Sequence, residues 1–190
     1  MFLKYISLFS ILAMVISCGQ NPAASTSTEQ SAPPVFDSVV FHTSMCFGAC
    51  PVYHLQVNGD GQTKFHAEVV YQKDSLFKKD STRIGYYEGK LSDSLFNQLQ
   101  TTLTATPADS LVYNPQDNCC DGVLKTIIVY QKGKRKFLRY MFNPGKAEEL
   151  SKVLYRICEE NQLPKTDKKL EFENPVENEA KVPVEEKAKP

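Results

Sequence analysis

Residues 51–71, PVYHLQVNGDGQTKFHAEVVY, alternate apolar and polar side chains on both sides of a glycine-rich turn. Such alternation is typical of two antiparallel strands with one buried face, and it decides the fold of the domain around them. If Gly59-Asp60-Gly61 is a loop of three residues, the pairing separates the two faces cleanly. The apolar face then holds the pairs Leu55 with Phe65, Tyr53 with Ala67, and Pro51 with Val69. The polar face holds the pairs Gln56 with Lys64, and His54 with His66.

Similar signals extend outward from this hairpin. The further elements are a strand over Val35 to Thr43, a strand over Arg83 to Lys90, a helix from Ser92 to about Thr104, a hairpin of 123–131 with 134–142 around Lys132-Gly133, and a helix after Asn143 and Pro144. The order ββββ-α-ββ-α, with tight hairpins and no long crossovers, predicts an α+β fold: an antiparallel sheet of about six strands with two helices packed on one face. Because the last two strands are apolar on both faces, we expect them to lie in the centre of the sheet.

The N-terminus has the layout of a signal peptide, which we assign to residues 1–17. Lys4 precedes an apolar run that is shorter than the roughly 20 residues of a membrane-spanning helix. The run ends in Val15-Ile16-Ser17-Cys18, which resembles a lipobox, the signal in which a cysteine thiol is diacylated and the bond before it is cut. The sequence therefore predicts a membrane anchor on Cys18. The alternative is an ordinary signal peptide in which Cys18 is incidental.

Three segments follow the signal peptide. Residues 18–35 are rich in Ser, Thr, Ala and Pro, and we interpret them as the lipidated N-terminus and a flexible tether. Residues 36–163 form the globular domain. Residues 164–190 alternate Lys, Glu, Val and Pro without a period, so we interpret them as a disordered charged tail.

Charge and sorting signals indicate the location and exclude one class of partner. The chain has 22 Lys and Arg against 22 Asp and Glu, a balance that argues against nucleic acid, which requires a basic face. No acid comes directly after Cys18. By resemblance to lipoprotein sorting signals, we expect the protein to be anchored in the cell envelope, in the outer membrane and facing the periplasm.

The cysteines beyond Cys18 suggest structural roles. Cys46 and Cys50 are separated by Phe-Gly-Ala, and a positive φ at Gly48 would fold this loop until the two cysteines form a local disulfide. Cys119 and Cys120 are adjacent, so a bond from one of them to a distant partner is favoured over a strained vicinal bridge. Cys158 falls on the apolar stripe of the last helix, where a buried free thiol is the ordinary outcome.

Two runs carry a resemblance to a known family. CFGACPVY, residues 46–53, is followed by Gly59-Asp60-Gly61 and then by GYYEGKLS, residues 85–92. Together they resemble the domain of unknown function 6438 family, over roughly Phe36 to Leu163. The resemblance implies a bacterial lipoprotein domain with no assigned activity. Cys119, Cys120, Cys158 and the charged tail depart from that pattern, so the resemblance implies no role for them.

Catalytic motifs are absent from the sequence, so we predict no enzyme activity and assign no catalytic residue, metal ligand or cofactor. The favoured function is a non-enzymatic module that binds a protein or cell-wall partner. The alternative is a copper-binding or thiol-disulfide protein that uses Cys46 and Cys50, since soft thiolates select Cu(I). His54 and His66 could chelate a metal as a cross-strand pair, but without a third ligand we interpret them as part of a polar face, and Glu68 and Glu88 as solvated.

Overall fold

A computed structural model describes residues 34–75, 77–111, 121–142 and 144–173. The strands are β1 (Ser38–Thr43), β2 (Val52–Asn58), β3 (Gln62–Val69), β4 (Gly85–Lys90), β5 (Lys125–Gln131), β6 (Lys134–Tyr140) and β7 (Lys165–Thr166), and the helices are α1 (Asp93–Ala105) and α2 (Glu148–Glu159). Single 3-10 turns occupy Ala108–Ser110 and Gly145–Ala147. Cys18, Cys119 and Cys120 lie outside the described residues.

All seven strands form one antiparallel sheet in the order β6-β5-β1-β2-β3-β4-β7, which does not close into a barrel. The predicted α+β class is confirmed, with seven strands in place of about six. Both helices pack on one face. Their buried side chains, Leu99 of α1 and Leu154 of α2 among them, join Phe41, Leu55 and Phe65 of the sheet in the main hydrophobic core.

The register of the first hairpin agrees with the prediction over most of its length. Leu55 pairs with Phe65, and His54 pairs with His66. Gly61 closes the loop with a φ of 85°, a conformation that favours glycine, and its N–H donates to the carbonyl of Asn58 at 2.9 Å. The expected pair of Pro51 with Val69 is wrong. A bulge shifts the register there, so that Val52 pairs with Val69 instead.

The second hairpin turns at Lys132-Gly133 as predicted, but it does not lie in the centre of the sheet. β6 is an edge strand, and β5 separates it from β1. Side chains of β6 are nevertheless buried on both faces of the sheet. On the face without helices, Phe137 packs with Val40 and Ile128 in a second, smaller apolar cluster. A strand with apolar side chains on both faces is therefore covered on both faces. An edge strand can be covered in this way as well as a central one.

Part of the predicted disordered tail is ordered. Residues 164–173, called here the C-terminal strap, add β7 to the sheet edge, and Leu170 of the strap is buried. At the end of the strap the Glu173 carboxylate accepts hydrogen bonds from Arg135 at 3.0 Å and from the Tyr130 hydroxyl at 2.7 Å. These apolar and charged contacts offset the entropy cost of ordering a segment whose composition alone indicates disorder. Among the described residues, no helix is long and apolar enough to cross a membrane.

Candidate functional site

A row of side chains crosses the sheet on the face that carries no helices. The antiparallel register places His42 of β1 beside His54 of β2, His54 beside His66 of β3, and His66 beside Tyr86 of β4. Each strand contributes one side chain at the same height because paired residues of neighbouring strands point to the same face. All three histidines of the chain therefore lie in one line, called here the histidine row.

His54 is the central member of the row and is held at both ring nitrogens. Its Nδ1 lies 2.8 Å from Nδ1 of His42, and its Nε2 lies 3.0 Å from Oε2 of Glu68. A carboxylate can only accept a hydrogen bond, so Nε2 of His54 donates to Glu68. Between the two Nδ1 atoms, one ring donates and the other accepts. The orientation of the His54 ring is thus set from both sides.

Aromatic contacts position His66. Its ring stacks on Tyr86 with centroids 4.0 Å apart and an angle of 14° between the planes. On its other side, the His54 ring is nearly parallel at 5.6 Å and 19°. Phe172 of the C-terminal strap lies 6.0 Å from the His54 ring, so the strap forms a wall of the site.

The surroundings of His42 and His66 favour the neutral form of each ring. Burial, with a further contribution from His54, lowers the pKa of His42 from its ordinary 6.5 to about 4, although Glu173 opposes this change. Burial also lowers the pKa of His66, again with His54 acting in the same direction and Glu68 opposing. Both rings are therefore neutral at neutral pH, the state in which an imidazole can bind a metal.

Three potential metal ligands converge at one end of the row. One nitrogen from His54, one from His66 and one carboxylate oxygen of Glu68 all lie within 4.8 Å of one another. Sequence reasoning paired the histidines but treated Glu68 as solvated. The missed signal was local: Glu68 lies two residues after His66 on the same strand, and a spacing of two places both side chains on the same face.

A second exposed feature is the disulfide loop, defined here as Ser44 to Cys50. Cys46 and Cys50 form a disulfide with Cα atoms 5.7 Å apart. The expected positive φ at Gly48 is wrong, because the positive-φ glycines of the described residues are found elsewhere. The loop presents two large apolar side chains to solvent, Met45 at 71% exposure and Phe47 at 93%.

Hydrogen bonds anchor both ends of the disulfide loop to the sheet. The Thr43 hydroxyl donates to the Pro51 carbonyl at 2.9 Å and accepts from the Tyr53 N–H at 2.8 Å. The Ser44 N–H donates to the carbonyl of Leu124 at 2.9 Å, and the Leu124 N–H donates to the Ser44 hydroxyl at 3.0 Å. The base of the loop is thus part of the folded domain, while its tip projects from it.

The remaining described cysteine, Cys158, is a free thiol in the core, as predicted. Burial raises its pKa, with nearby Glu159 acting in the same direction. A buried thiol of raised pKa contains little of the thiolate that attacks disulfides or binds metals. Cys158 therefore serves packing.

Comparison with known proteins identifies one family. A family model described as a domain of unknown function, DUF6438, matches residues 37–159, a range that includes the histidine row and the disulfide loop. No curated protein matches the chain.

Proposed function

The chain belongs to the DUF6438 family, and from that premise we propose that it is a lipid-anchored, non-enzymatic binding module of the cell envelope. The anchor would be Cys18, the residue directly after the signal peptide. The tether of residues 18–35 would separate the membrane from the domain. The partner would be a protein or a cell-wall component, and the protein would face the periplasm from the outer membrane.

The exposure of Phe47 is the observation that carries the binding role. An aromatic ring that is 93% exposed makes almost no contribution to the core, and aromatic and Met side chains are enriched at protein interfaces. The disulfide and the hydrogen bonds at the base hold the loop before any partner arrives. Binding through a preorganised loop costs less conformational entropy than binding through a free one.

The alternative, copper or thiol chemistry at Cys46 and Cys50, has weaker support. Reactive Cys-x-x-Cys-type sites lower a thiol pKa by placing the cysteine at a helix N-terminus. In this fold the cysteines precede β2, a strand that begins at Val52. Among the described residues, no helix begins at Cys46 or Cys50 whose dipole could stabilise a thiolate there.

Photo-crosslinking in the producing cells tests the proposal. A photoreactive amino acid is placed at position 47 and, as a matched control, at position 77, where another phenylalanine is 68% exposed outside the disulfide loop. We expect a discrete adduct from position 47, absent from position 77 and lost when Cys46 and Cys50 are both replaced by Ser. Equal adducts from both positions, or none from position 47, would contradict the binding role of the loop.

A further inference from the structure

We propose that His54, His66 and Glu68 form a binding site for a divalent first-row transition metal ion, of which Zn²⁺ is the reference case. The three side chains come from two adjacent strands and converge from one face of the sheet. This site is separate from the disulfide loop, so the proposal does not depend on the function proposed above.

The donor set matches this class of ion. Two imidazole nitrogens and one carboxylate oxygen are the ligands that zinc, copper and nickel accept in proteins. Hard ions such as Mg²⁺ and Ca²⁺ require mostly oxygen ligands, so one carboxylate and two imidazoles would bind them poorly. The site would therefore prefer transition metal ions to Mg²⁺ and Ca²⁺. Among the divalent first-row ions, Cu²⁺ would be bound more tightly than Zn²⁺, and Mn²⁺ would be bound least tightly.

The three ligand atoms would need to move only slightly closer together to bind a zinc ion. Ligand atoms on a tetrahedral zinc ion lie roughly 3.3 Å apart, given bond lengths of about 2.0 to 2.2 Å. In the structure the three ligand atoms lie within 4.8 Å of one another. The His54 and Glu68 side chains are 27% and 53% exposed, so both can rotate toward an ion that enters from solvent.

Neighbouring residues supply the outer contacts that metal-binding histidines need. A histidine that binds a metal through Nε2 carries its proton on Nδ1 and donates it to a fixed acceptor. Nδ1 of His42, 2.8 Å from Nδ1 of His54, would be such an acceptor when His42 carries its own proton on Nε2. Metal binding would replace the Nε2 proton of His54, and the ring would be protonated at Nδ1 instead. Tyr86 holds the His66 ring by stacking, so both imidazoles are preoriented.

Three protein ligands leave one tetrahedral position unfilled. Because Glu68 is half exposed, this position faces solvent and would hold water or a donor from another molecule. The site is therefore unlike a closed structural zinc site with four protein ligands. Its loss should leave the fold intact, since the main hydrophobic core lies on the opposite face of the sheet.

Metal titration of the purified full chain tests the proposal. The free thiols are blocked with N-ethylmaleimide, because cysteines would otherwise compete for the ion. Zn²⁺ is then titrated against a chromophoric chelator, and native mass spectrometry counts the bound ions. We expect one ion for each chain. His54→Gln, His66→Gln and Glu68→Gln should each weaken binding at least about 100-fold, beyond the 10- to 100-fold cost of losing an outer contact.

Glu88→Gln is the matched control for Glu68→Gln. Glu88 lies on β4, is paired in register with Lys64 on the same face, and has a carboxylate 3.8 Å from Lys168. Its replacement should leave zinc affinity unchanged. Equal weakening by Glu88→Gln, unchanged affinity in the histidine variants, or loss of binding on thiol blocking would each overturn the proposal.

X-ray absorption spectroscopy of the zinc-loaded wild-type chain tests the site without any variant. We expect the scattering pattern of two imidazoles together with further oxygen ligands. Sulfur scattering, or light-atom scattering without imidazole, would overturn the proposal even if a histidine variant failed to fold.

Discussion

Nδ1 of His42 lies 2.8 Å from Nδ1 of His54, and this hydrogen bond joins two histidines from adjacent strands. The two rings are 12 residues apart in the chain, and only the pairing of β1 with β2 brings them together. Because the contact needs one ring nitrogen without a proton, it is incompatible with two charged imidazoles. The histidine row should therefore respond to acid.

The first prediction concerns the stability of the domain in acid. The pKa of His42 falls from 6.5 to about 4 on folding, so the unfolded chain binds more protons between these values, and acid favours unfolding. The stability due to neutral His42 is fully present above pH 6.5 and is lost as the pH falls toward 4. The loss should be on the order of 2 to 3 kcal/mol.

Urea unfolding at a series of pH values between 7 and 4 measures this effect. In a His42→Gln variant the free energy of unfolding should depend less steeply on pH, because the group that titrates differently in the two states is gone. An unchanged pH dependence in that variant would show that other groups cause the acid sensitivity.

The second prediction compares the two faces of the first hairpin. Phe65 is 2% exposed and packs between Tyr53 and Tyr87, so Phe65→Ala should lower the free energy of unfolding by about 3 to 5 kcal/mol. His66→Ala, at the next position on the opposite face, removes a ring stack and should cost about 1 kcal/mol. Equal losses in urea denaturation would contradict the observed division between core and polar face.

The third prediction concerns the C-terminal strap. The Glu173 carboxylate accepts hydrogen bonds from Arg135 and from Tyr130, and its side chain is only 18% exposed. Glu173→Ala should therefore lower the free energy of unfolding by about 1 to 2 kcal/mol, since hydrogen bonds to charged groups are among the stronger ones. Glu171→Ala, at an exposed position of the same strap, is the control and should have little effect. The strap of the Glu173 variant should also be cleaved faster by proteases.

The fourth prediction is that the disulfide of Cys46 and Cys50 serves structure. The closed loop is short, so the chain-entropy estimate gives a stabilisation of about 2 kcal/mol. A variant with both cysteines replaced by Ser should melt at a lower temperature but remain folded. The bond should also resist glutathione. Ready reduction by a glutathione buffer, or copper bound to the reduced pair, would support the thiol or copper alternative instead.

The fifth prediction concerns lipidation. The Cys18→Ala protein should keep its signal peptide and fail to be acylated, because the acylated thiol directs the cleavage in lipobox-type signals. Mass spectrometry of the N-terminus and metabolic labelling with a fatty acid measure both effects. Ser25→Ala, in the tether, is the control and should be processed normally. Normal cleavage of the Cys18 variant would make the lipid anchor untenable.

Protease treatment of intact cells checks the predicted orientation of the lipidated protein. A protein that faces the periplasm from the outer membrane should be protected until the outer membrane is permeabilised. Digestion in intact cells would place the domain on the cell surface.

The sequence alone was sufficient for features that depend on near neighbours. The pairing of His54 with His66 follows from a period of two and a glycine-rich turn, because a slip of one residue would bury Lys64 in the core. The buried position of Cys158 follows from the apolar stripe of α2 in the same way. In each case the energy of burying one face acts on residues that are close in the chain.

Only the tertiary structure decided which distant segments meet. The place of β6 at an edge and the addition of β7 depend on which strands pair, and several strands of similar apolar content could pair in other orders. The same long-range pairing brings His42 to His54 and the strap to Arg135. Strand pairing uses backbone hydrogen bonds, which are alike for every residue except proline, so local sequence carries little information about the choice of partner. The choice is made by the packing of the whole core and by contacts such as that of Glu173 with Arg135, which exist only once the chain has folded.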